Sequence, residues 1–126
     1  MARKRRAKAD VGRCYEEAYR LAQELGADLV HGFPRLTGGP FVGRLFGHAW
    51  TELNGRVMVI LDNSPAIVSR ESYYAMGQID EALCLRYSTE EARAAVVEHK
   101  HFGPWVIPEG LPEEPLFGGQ QRRRAN

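Results

Sequence analysis

The sequence has no run of about 18 apolar residues, so no segment is expected to cross a membrane as a helix. Its only cysteines, Cys14 and Cys84, are too few for a disulfide framework or a cysteine-built zinc site. That scarcity points to a reducing, cytoplasmic setting. The basic start Met1-Ala2-Arg3-Lys4-Arg5-Arg6 has no apolar stretch behind it, which argues against a secretory signal. A Gly-Lys-Ser/Thr phosphate loop, a dinucleotide fingerprint, a His-Glu-x-x-His helix and a Cys-x-x-Cys pair are all missing. The expectation is therefore no metal and no other cofactor, with His31, His48, His99 and His101 scattered along the chain. There is no internal repeat, and 126 residues suffice for one domain.

Charge of one sign is scarce in the body. The formal net charge is +1, but Arg3, Lys4, Arg5, Arg6, Lys8, Arg122, Arg123 and Arg124 sit at the two ends. What lies between them is acidic. Short basic ends are usually solvated; their sharper use is weak contact with a nucleic acid or other polyanion through phosphate charge. No aromatic residue interleaves them, so they offer no base stacking.

Apolar positions Val11, Cys14, Tyr15, Ala18, Leu21, Ala22 and Leu25 recur at helical spacing between Asp10, a good N-cap, and Gly26, a good stop. Asp28 to Phe33 reads as a short strand. Residues 34–47 hold four glycines and two prolines and read as a long loop, with Gly38 to Gly47 a mobile flap. Asn54-Gly55 between two β-rich runs signals a hairpin of residues 48–53 and 56–62. Pro65 ends that pair. Ser69 opens a short helix that stops at Gly77, with Tyr73 and Tyr74 as packing residues. Ala82 to Tyr87 reads as a third strand, with Cys84 as a core thiol. Ser88-Thr89-Glu90-Glu91 is a capping box for a helix to about Lys100. The division expected is a basic tail over 1–9, an α+β catalytic-type domain over 10–105, and a Pro-rich then basic tail over 106–126. The fold expected is α+β, an N-terminal helix packed on a small antiparallel sheet with a second helix near the C-terminus.

One constellation carries chemistry. A cysteine near a helix start gains thiolate character from unpaired N–H groups. A histidine that opens a strand is a base for it, and a carboxylate at the end of the paired strand orients the imidazole. Cys14, His48 and Asp62 have those placements. A two-residue turn at Asn54-Gly55 pairs Leu53 with Arg56 and turns Asp62 to the face opposite His48. A three-residue loop with a bulge pairs Glu52 with Arg56 and brings Asp62 diagonal to His48. The triad needs the second register or an equivalent bulge elsewhere, and the sequence allows both.

Cys14 in a helix, Gly47-His48-Ala49-Trp50-Thr51-Glu52, then Val59-Ile60-Leu61-Asp62 resembles the core of transglutaminase-like cysteine enzymes within the wider papain-like group. The chain also resembles small phage and prophage proteins that share "GHAW" and a late "HFGPW", here His101-Phe102-Gly103-Pro104-Trp105. The first resemblance implies a papain-like core and an acyl-transfer enzyme with Cys14 as nucleophile, His48 as base and then acid, and Asp62 as orienter. The reaction would be amide or ester hydrolysis, deamidation or transamidation on a protein or peptide. From the residues themselves, the substrate contacts expected are Trp50 as a cleft wall, His31 on the substrate side, and Phe41 and Phe46 as the apolar grip of the flap. The side-chain oxyanion donor of papain-like proteases, an upstream Gln, has no counterpart before Cys14. The competing reading is a non-catalytic assembly or nucleic-acid-contacting protein on the same fold, virion-associated if phage-encoded.

Overall fold

A computed structural model describes residues 5–6, 13–61 and 64–117. Helix α1 runs Cys14–Leu25 and ends on Gly26, whose left-handed φ of 65° lets its N–H reach the Ala22 carbonyl. The expected cap, Asp10, lies outside the described residues; Arg13 takes the N-cap position without a side-chain bond. Tyr15, Ala18 and Ala22 are the buried positions of the stripe. The two alanines bring the helix close to the sheet, where Thr51 Oγ1 donates to the Ala18 carbonyl at 2.9 Å. Leu25, counted in the stripe from its spacing, is exposed at the helix end.

The protein is α+β. Strands β2 (Asp28–Gly32), β3 (His48–Leu53), β4 (Arg56–Leu61), β5 (Ser64–Ser69) and β6 (Leu85–Tyr87) form one antiparallel sheet ordered β5-β4-β3-β2-β6. Successive side chains alternate between its faces. Leu29, Phe33 and Ala49 meet α1 and helix α3 (Thr89–His99) in one core; Val30, Trp50 and Val57 meet Tyr73 and Tyr74 of helix α2 (Arg70–Gly77) in another. Leu29, Val30 and Val57 are fully buried, and each contributes roughly 1.5–3 kcal/mol by leaving water.

The turn at Asn54-Gly55 has two residues, with φ of 54° and 75°, and pairs Leu53 with Arg56. This is the register that does not bring Asp62 beside His48 across the hairpin. The hairpin is otherwise as the sequence indicated. Strand β5 was not foreseen, because Pro65 looked like a strand end. It is tolerated because β5 is an edge strand, where a missing N–H costs no ladder bond.

The third strand is shorter than expected. Asp80 accepts from the Ala82 N–H at 3.0 Å and caps a single 3-10 turn at Glu81–Leu83, so pairing starts only at Leu85. Ser69 caps α2, and the capping box of α3 is complete, with Ser88 Oγ and Glu91 Oε1 bonding each other's backbone N–H at 3.1 and 2.9 Å.

Two expected boundaries move. Trp105, Ile107 and Phe117 are buried in the α1 core and Leu116 is buried too, so the body continues beyond residue 105 to Phe117. The prolines there punctuate a segment whose apolar residues fill space beneath α1. In the N-terminal tail, β1 (Arg5–Arg6) pairs antiparallel with β7 (Val106–Ile107). Arg3, Lys4, Lys8 and Arg122 to Arg124 lie outside the described residues.

Candidate active site

The site arises where the sheet opens. Pairing between β3 and β4 runs from Leu53–Arg56 to Thr51–Met58, while β4 stays paired with β5 to Leu61–Ser64. A two-residue hairpin closes on a hydrogen-bonded pair, so Leu53, Thr51 and Ala49 all aim their amides toward β4. Beyond Met58 that pairing stops, and the Ala49 amide lowers the pKa of the Cys14 thiol.

A cavity of about 530 Å³ fills the opening. Cys14, the first residue of α1, reaches it from the Ala49 face of the sheet. His48 alternates with Ala49 and belongs to the opposite face, that of Trp50. Both line the one cavity because the gap between β3 and β4 joins the two faces; Trp50, Met58, Val59 and Tyr73 complete its wall around the gap. Glu17, Leu21 and Glu24, on one side of α1, extend the cavity along the helix.

Burial pushes the Cys14 thiol up, opposed by the backbone amides of Ala49, Tyr15 and Cys14 itself. Burial likewise lowers the His48 imidazole to about 4. At neutral pH the pair therefore rests as thiol and neutral imidazole. The His48 ring is flanked by Phe46 and Trp50, with centroids 5.5 and 6.2 Å away. Asp62 lies outside the described residues, as does Asn63.

The remaining expected site residues divide. Trp50 walls the cavity. Phe46 touches the His48 ring without lining the cavity, and Phe41 stands in the loop away from it. His31 is 1% exposed in the α1 core, ringed by Tyr15, Tyr87 and Trp105 at 4.9–5.1 Å, and does not reach the cavity. Strand alternation places it there, since it shares a face with Leu29. The loop expected as a flap is tied at its base: Glu113 receives Arg35, Arg44 and the Leu45 N–H, and Leu36 and Arg44 bond across it.

Sequence reasoning missed two features. Tyr73 was treated as packing, yet it lines the cavity with Cys14 and His48. Glu52, 5% exposed, accepts Trp50 Nε1 at 2.7 Å, Tyr74 Oη at 2.5 Å, Arg86 at 2.8 Å and Arg70 Nε at 3.2 Å. A carboxylate between apolar strand residues was the available signal, because such a group must find donors. Glu52 holds the indole that walls the site.

Among the described residues no group of three or more His, Cys, Asp or Glu is arranged to hold a metal ion, and no helix is long and apolar enough to cross a membrane. Comparison with protein-family models, with curated proteins and with solved structures finds no match to this chain.

Proposed function

We propose that this protein is a cysteine-dependent acyl-transfer enzyme acting on an amide or ester of a protein or peptide. Cys14 is the nucleophile, and His48 takes the thiol proton during attack and returns it to the leaving group; the orienter expected from the sequence, Asp62, lies outside the described residues, and the observed hairpin register does not bring it beside His48. Water or an amine then resolves the thioester. The observation that carries this reading is the cavity shared by Cys14 and His48, opened by the divergence of β4 from β3. With both groups neutral at rest, proton transfer accompanies attack rather than preceding it.

The test is acylation by p-nitrophenyl acetate, with the acetylated cysteine located by peptide mass spectrometry. Cys14 should be acylated far faster than Cys84. His48→Ala should slow Cys14 acylation by about 10²–10⁴-fold, the usual worth of a positioned general base. Equal labelling of the two cysteines, or an undiminished rate in His48→Ala, would overturn the reading.

A further inference from the structure

We propose that Tyr73 is a catalytic residue of this site, donating its phenolic O–H to the oxygen of the carbonyl that Cys14 attacks. The inference rests on the acyl-transfer reading and adds the side-chain donor that the sequence lacks before Cys14.

Two observations converge on it. Tyr73 lines the cavity together with Cys14 and His48, although it comes from α2, across the gap from α1. Its O–H has no hydrogen-bond partner among the described residues, whereas the adjacent Tyr74 gives its O–H to Glu52. A half-buried phenol without a partner, facing a cavity that holds a nucleophile, is a donor held ready for a ligand. Its ring is fixed against Trp50, with centroids 5.2 Å apart, and Glu52 holds that indole by its N–H. Donor and nucleophile thus come to one cavity from different helices.

In the step assigned, the Cys14 sulfur forms a bond to the carbonyl carbon while the thiol proton passes to His48. The carbonyl π pair moves to oxygen, where Tyr73 donates to the negative charge. When that pair returns, the bond to the leaving group breaks, the thioester remains on Cys14, and the imidazolium gives its proton to the leaving group.

Two reagents separate this role from the nucleophile's own. Acetylation by p-nitrophenyl acetate builds an oxyanion; alkylation by iodoacetamide displaces iodide and builds none. Tyr73→Phe keeps the ring on Trp50 and removes only the O–H. Acetylation of Cys14 in Tyr73→Phe should fall by about 10²–10³-fold, the usual loss of one oxyanion donor, with alkylation at the wild-type rate. Unchanged acetylation would overturn the assignment. So would an equal fall in both reactions, which would mark a structural role, or faster alkylation, which would mark a phenol bonded to the sulfur as a brake. Wild-type protein that alkylates at Cys14 but is never acetylated there would overturn the acyl-transfer reading and this one with it; acetylated wild type with an unaffected Tyr73→Phe would overturn this one alone.

Discussion

The Ala49 N–H faces a point where β3–β4 pairing has stopped, past Met58, and holds the Cys14 thiol lower than burial alone would set it. An N–H that a continuous sheet would have spent on its neighbour strand is instead available to a thiol. The same departure admits His48 to the cavity from the other face. The site is therefore a property of the sheet's geometry as much as of its side chains.

Cys14 is expected to react as a buried thiol, not as a standing thiolate. Burial holds its pKa above the ordinary thiol value and brings that of His48 down to about 4, so the expectation is no thiolate–imidazolium pair between pH 5 and 8. Iodoacetamide alkylation of Cys14 should rise continuously with pH through that range. A plateau from pH 5 to 8 would show a pre-formed ion pair.

Removing Glu52 should cost more stability than a surface carboxylate. Glu52→Ala leaves the Trp50 and Tyr74 donors without their acceptor, while Arg70 keeps Glu81 and Arg86 keeps Asp28, a loss of about 1–3 kcal/mol for part-buried donors left unpaired. Burial would raise its pKa, but its bonds to Tyr74, Trp50 and Arg86 together hold it low. Its contribution is therefore full above the usual carboxylate range and lost as pH falls through the folded value. Urea unfolding at pH 7 and pH 4 should show the variant's deficit shrinking at the lower pH.

His31 should make the fold acid-sensitive. Neither ring nitrogen has a hydrogen-bond partner among the described residues, and burial depresses its pKa to about 3. The unfolded chain binds a proton near pH 6.5 that the folded chain refuses, so stability falls as pH drops from 6.5 toward 3, by up to about 1.4 kcal/mol per pH unit for this group. His48 adds a second slope down to about 4. Calorimetry of His31→Phe should show a shallower decline between pH 6.5 and 4.5 and a stability at pH 5 at least equal to wild type. An unchanged pH slope would count against a neutral buried His31.

Gly47 precedes the proposed base and has no room for a side chain. A methyl there would run into the Phe117 ring and meet Tyr15 Oη at 2.6 Å, while its N–H is bonded to the Leu116 carbonyl at 2.7 Å. Gly47→Ala should lose about 1–3 kcal/mol by overpacking and also slow Cys14 acylation, because relief of the clash moves β3 at His48. Gly38→Ala, in open space at the exposed loop tip, is the control and should leave both measurements near wild type.

Local chemistry made much of the fold legible. Asn54-Gly55 imposes its turn through two positive φ values, Gly26 stops α1, and Ser69 and the Ser88–Glu91 box open their helices. Each signal acts within a few residues, which is why the sequence by itself determined the helices, the hairpin and the α+β class, and placed Cys14 at the head of a helix and His48 at the head of a strand. Strand β5, the docking of residues 106–117 and the pairing of Arg5–Arg6 with Val106–Ile107 depended on partners distant in the chain. So did the site. Whether β4 stays with β3 past Met58, whether His31 turns to the core or to the cavity, and whether Tyr73 lines the same cavity as Cys14 are outcomes of packing two faces of one sheet. No local signal encodes them, because each is settled by competition among contacts made only once the layers close.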